Sequence, residues 1–81
     1  MATLKNIIGP QVRQLRYRQG MTQEALSARC SLMGWDLSRA TLSKIEAQLR
    51  CVTDSELEFL ARALKVEIVA LYPQRKHRSK V

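Results

Sequence analysis

At 81 residues and 46% hydrophobic side chains, the chain has room for one small domain and enough apolar content to fold it, which excludes a chain disordered by composition. Three glycines, two prolines and few β-branched residues favour an all-α bundle over a sheet. A net charge of +7 suits a polyanionic partner, nucleic acid first and an anionic membrane surface second.

In chain order, residues 1–5 read as loose, and a first helix lies within Ile8 to Gln19. Pro10 is tolerated in its first turn, Ile8, Val12 and Leu15 point inward, Arg13, Arg16 and Arg18 line its polar sides, and Gly20 ends it. Thr22 caps a second helix, with Glu24 near its positive end. Ala25, Leu26, Arg29, Cys30 and Met33 recur at helical spacing as its mostly apolar stripe. That helix runs on to about Met33, and Gly34-Trp35-Asp36 forms the turn, with Trp35 as its cover. Ser38 caps a third helix, in which Leu42 and Ile45 face the core one turn apart. Its other face carries Arg39, Ala40, Ser43 and Lys44, a short, small-residue, basic surface shaped for a DNA major groove. Ala47 to Val52 connects to a fourth helix that opens with a capping box, Thr53 to Glu56, and shows an apolar stripe of Leu57, Leu60, Ala61 and Leu64. A short fifth helix around Ile68 to Leu71 stops at Pro73. Residues 1–73 therefore read as one domain, and 74–81 as a basic tail without periodicity.

The charge is unevenly placed. Residues 1–50 carry a net +5, residues 51–72 a net −2 and residues 73–81 a further +4, so the middle segment is the one least suited to face phosphate. No apolar run approaches the roughly 20 residues of a membrane span, and the N-terminus lacks the apolar core of a secretory signal. Cys30 and Cys51 each sit in an apolar pattern and read as two buried thiols in a reducing cytoplasm. Together with His77 they are too few ligands for a zinc site, and no nucleophile–base pair or phosphate loop suggests an enzyme. Neither a cofactor nor a small-molecule ligand is expected.

Three segments, LRYRQGMTQEAL (15–26), LSRATLSKIE (37–46) and LARALKVEIVALY (60–72), resemble the Cro/repressor-type, or XRE-like, helix-turn-helix DNA-binding domains. Their order and spacing place nearly all of residues 8–72 within that family's five-helix, lambda-repressor-like plan. The chain departs from the family's shortest members by extra residues between Cys30 and Leu37, which lengthen the second helix and its turn. The resemblance makes the third helix the recognition helix. Arg39 is then the leading base contact, because a guanidinium grips guanine O6 and N7 together. Ala40 is placed against a thymine methyl, Ser43 as donor or acceptor, and Lys44 at a base or phosphate. Gln23 matches a phosphate-binding position at a helix N-terminus, and Gln48 and Arg50 match positions that brace the DNA backbone. Without the resemblance, Arg39 and Lys44 read equally well as a solvated face, and Gln48 and Arg50 as a solvated loop. Arg16 and Glu46 match a helix 1 to helix 3 ion pair, expected to be part-exposed, to add about 1 kcal/mol at most and to orient the recognition helix.

The expected protein is a cytoplasmic, sequence-specific regulator of double-stranded DNA, a repressor acting as a homodimer on a palindromic operator. The surface from the fourth helix onward, including Leu71 and Tyr72, is the expected dimer contact. Two other classes fit the sequence: an antitoxin-like or accessory interaction module, and a non-specific nucleic-acid binder driven by the tail.

Overall fold

A computed structural model describes residues 3–73, and the tail at 74–81 lies outside the described residues. Four α-helices follow one another: α1 (Gly9–Arg18), α2 (Gln23–Leu32), α3 (Arg39–Glu46) and α4 (Asp54–Leu64). No strand occurs among the described residues. The expected fifth helix is a 3-10 turn, Ile68–Leu71. The reason is length: extended residues Glu67 and Tyr72 bracket only four positions, so the turn closes through Ala70 N–H to Glu67 C=O and Tyr72 N–H to Val69 C=O.

The helix starts lie where the capping residues put them. Thr22, Ser38 and Thr53 each accept a backbone N–H from the third residue on, and Thr53 with Glu56 forms the full reciprocal capping box. The helix ends share one device. After each helix one residue turns left-handed, at Gly20, Gly34, Gln48 and Lys65. The following N–H then reaches back five residues, as in Met21 to Arg16 and Leu49 to Lys44. α2 thus stops where Gly34 takes φ 108°, a conformation that favours glycine.

Val12, Leu26, Cys30, Leu42, Ile45, Leu60, Leu64 and Leu71 are fully buried and make one core, with Met33, Trp35 and Val52 packed at its margin. Trp35 covers the long turn against α4, its ring centroid 6.0 Å from that of Phe59. The buried stripe of α2 passes through Leu26, Ser27 and Cys30, whereas Ala25 and Arg29 are exposed. Ser27 tolerates burial because its hydroxyl donates to the Glu24 carbonyl. Burial pushes the Cys30 thiol up to about 11, which keeps it protonated and unreactive. Cys51, by contrast, is exposed: the connection after α3 runs over the surface and Val52 takes the inward position. Leu71 is core rather than dimer surface, because the 3-10 turn folds it inward and leaves Ile68 and Val69 outside.

The N-terminal segment holds α3 from behind. The Asn6 carboxamide oxygen accepts from the Ile8 and Gly9 N–H groups, and its nitrogen donates to the carbonyls of Ile45 (3.0 Å) and Arg50 (2.8 Å). One side chain therefore caps the start of α1 and satisfies a carbonyl at the end of α3. The two elements approach so closely at Gly9 that a methyl group there would press on the Ile45 carbonyl oxygen and lie 2.8 Å from that of Glu46. Gly9→Ala is therefore expected to cost about 1–3 kcal/mol, read as a lower denaturant midpoint. An unchanged midpoint would show that α1 and α3 can part without loss.

Candidate nucleic-acid interface

Helical spacing divides α3 into two faces. Leu42 and Ile45 are fully buried, and Arg39, Ala40, Ser43 and Lys44 all stand exposed on the opposite side. The structure thus brings these four predicted residues onto one surface. Ser38 steadies its leading end, accepting from the Thr41 N–H and donating to the Thr41 hydroxyl at 3.0 Å.

Behind that surface lies a charged pair. Arg16 Nε meets Glu46 Oε2 at 2.7 Å and Nη2 meets Oε1 at 3.0 Å, a two-pronged grip, while Nη1 donates to the Met21 carbonyl at 2.9 Å. The side chains are only 6% and 4% exposed, so the pair is buried rather than part-exposed as the sequence reading has it. The Leu42 and Ile45 packing draws the last turn of α3 against α1, and the Tyr17 ring lies 4.7 Å from the guanidinium. The hydrogen bond to Glu46 raises the Arg16 pKa still further, so its charge is permanent.

Gln23, half-buried at the first position of α2, donates to Glu46 Oε1 at 3.1 Å. One of its two amide N–H bonds is thus committed to α3, and one is left for another acceptor. Arg39 Nε pairs with Glu24 Oε2 at 3.1 Å across the mouth between α2 and α3. Gln48 and Arg50 are engaged away from the exposed face of α3. The Gln48 amide donates to the Asn6 carbonyl, and Arg50 grips Glu56 and the Cys51 carbonyl. The hydrogen bond from Arg50 holds the Glu56 carboxyl below its usual range.

A groove of about 490 Å³ runs beside α3, lined by Arg13, Tyr17, Gln23, Arg39, Ser43 and Ala47 among others. Arg13 and Tyr17 are additions to the sequence-derived set. Arg13 donates to the Tyr17 hydroxyl at 3.2 Å and stacks 5.2 Å from its ring, and that hydrogen bond lowers the phenol's pKa. Their four-residue spacing on α1 is the signal that sequence reading passes over. Among the described residues no group of His, Cys, Asp and Glu is placed to hold a metal, and no helix is long and apolar enough to cross a membrane.

A helix with an exposed polar and basic face, preceded by a capped helix and a turn and braced from below, is the arrangement that the helix-turn-helix family model matches over residues 12–71. The chain belongs to the XRE-like helix-turn-helix family. That family is one of DNA-binding transcription regulators rather than enzymes. Solved structures agree. The restriction-modification controller protein C.AhdI from Aeromonas hydrophila is 29% identical, with TM-score 0.72, covering 80% of this chain and 91% of that one. A hypothetical transcription factor, NHTF, from Neisseria is 27% identical with TM-score 0.73, over 88% of this chain and 76% of its own. The restriction-modification controller protein C.Esp1396I is 28% identical with TM-score 0.70, over 88% and 85%. No curated protein matches the sequence.

Arg16→Ala should cost about 3–5 kcal/mol in a denaturant titration, because it leaves the Glu46 carboxylate buried without its cation. A loss below about 1 kcal/mol would mean that the pair is open to water and that α3 is oriented by packing alone.

Proposed function

We propose that this helix-turn-helix protein is a sequence-specific regulator that represses transcription as a dimer on a palindromic operator in the bacterial cytoplasm. The observation that carries the reading is the exposed face of α3, Arg39, Ala40, Ser43 and Lys44, held from behind by the buried Arg16–Glu46 pair. A helix presented in this way enters the major groove with its N-terminal residues on base edges. Arg39 reads guanine, Ala40 meets a thymine methyl, and Ser43 and Lys44 extend the contact along the groove. Gln23, through its second N–H, and Arg13, across the groove from Arg39, reach phosphate. Gln48 and Arg50 join them only by releasing Asn6 and Glu56, so their part is to hold the connection after α3 where it meets the backbone.

One recognition helix reads only a few base pairs, so two copies on a repeated site supply useful affinity. Ile68 and Val69, 41% and 71% exposed, are apolar groups that a second copy would cover. Two of the similar solved structures are restriction-modification controllers, and a role of that kind falls within the reading.

Selection from random DNA duplexes at physiological salt, followed by sequencing, should enrich an inverted repeat with half-site centres about one helical turn, ~10 bp, apart. No enrichment despite salt-sensitive binding would leave only phosphate attraction and defeat the proposal. Arg39→Ala is expected to relax preference at one base pair per half-site, at a cost of about 1–3 kcal/mol. Equal weakening on every sequence would make Arg39 a phosphate contact instead.

A further inference from the structure

The first turn of α2 touches both ends of the recognition helix. Gln23 holds the far end of α3 through Glu46, and the next residue, Glu24, holds the near end through Arg39. The two grips differ in kind. The Glu46 carboxylate is buried with Arg16, whereas Glu24 and Arg39 are 67% and 63% exposed and meet at the surface. An ion pair so open to water contributes little to stability. It does bias where the guanidinium lies, toward the first turn of α2. A guanidinium presents five N–H donors in one rigid plane. Glu24 Oε2 lies 3.1 Å from Arg39 Nε as an ion-pair contact, which leaves the Nη1/Nη2 edge of the guanidinium to other acceptors. Two parallel donors on one edge are what guanine O6 and N7 accept.

Resting on the reading of Arg39 as the base contact, we propose that Glu24 is a specificity-determining residue that orients Arg39 toward guanine and penalises its diversion to phosphate. The penalty follows from charge. On a site with guanine in place, Arg39 keeps its Nε–Glu24 contact and adds two base contacts. On a site without guanine, Arg39 swings to a phosphate only by leaving the Glu24 carboxylate uncompensated beside a polyanion. Glu24 therefore lowers affinity for wrong sequences more than it raises affinity for the right one. Arg13, on α1, lines the same groove but pairs with Tyr17, so Arg39 is the cation that answers Glu24 there.

The test compares the unaltered protein, Glu24→Gln and Arg39→Ala in the same random-duplex selection. Fluorescence titration of each on the enriched duplex and on an unrelated duplex follows. Both positions are exposed, so thermal midpoints should stay close to that of the unaltered protein. Glu24→Gln should bind unrelated DNA about threefold to fivefold tighter. It should lose a similar factor of discrimination at the base pair whose preference Arg39→Ala abolishes, with other positions unchanged. In the Arg39→Ala background, Glu24→Gln should alter no base preference. If Glu24→Gln tightens every duplex equally and leaves discrimination intact, Glu24 is only a surface charge; the proposal is then overturned while Arg39 remains the reader. If Arg39→Ala itself keeps the full base preference, the reading of Arg39 and the proposal fail together.

Discussion

The buried ion pair between Arg16 and Glu46 is the interaction on which the rest of the structure depends. Taking two charges out of water is costly, and mutual attraction offsets that cost only when the remaining donors and acceptors are also satisfied. Here three of the five Arg16 donors and both Glu46 oxygens find partners, through the two-pronged Arg16–Glu46 contact, the Met21 carbonyl and the Gln23 amide. These partners come from α1, the turn after it, the first residue of α2 and the last residue of α3. An apolar cluster of the same volume would fill the space but would supply no direction. The pair ties the last residue of α3 to α1, to the turn after it and to the start of α2.

The opposite side of the same helix end is held by neutral groups. Asn6 donates to the Ile45 carbonyl, Gln48 donates back to the Asn6 carbonyl, and Gly9 lets α1 approach without a side chain between. Gln48 adopts φ 65° although it has a Cβ, a conformation costing about 1 kcal/mol that its amide contact helps to offset. Held at its C-terminal end from two sides and capped by Ser38 at its start, α3 needs nothing from its outer face for stability. That face is free to carry Arg39, Ala40, Ser43 and Lys44 for other purposes. A small core suffices because the polar clasp and the helix caps share the work of fixing the elements.

Much of the fold was legible in the sequence because helix signals are local. Thr22, Ser38 and Thr53 announce their helices through hydrogen bonds to residues three positions on, and Gly20 and Gly34 mark ends through backbone freedom. The outer face of α3 could be read for the same reason, since Leu42 and Ile45 leave one side for the polar residues. Less legible were features that depend on distant neighbours. Cys51 and Leu71 both lie in apolar surroundings in sequence, yet one is exposed and the other is core. Long polar side chains were hardest to place, because several partners lie within their reach. The Gln48 amide reaches Asn6, 42 residues away, and Arg50 turns to Glu56 on the next helix.

The sequence by itself determined α1 to α4, the caps of α2, α3 and α4, a lengthened turn closed by Trp35, and a basic exposed face on α3, while reading the 3-10 turn Ile68–Leu71 as a fifth helix. Each of these follows from contacts within a few residues or from the period of one helix. Only the tertiary structure decided that Arg16 and Glu46 are buried, that Gln23 and Glu24 grip opposite ends of α3, and that Arg13 and Tyr17 share a groove with Arg39. Burial, pairing and orientation of a charged side chain depend on which helices pack against it, and no local period records that.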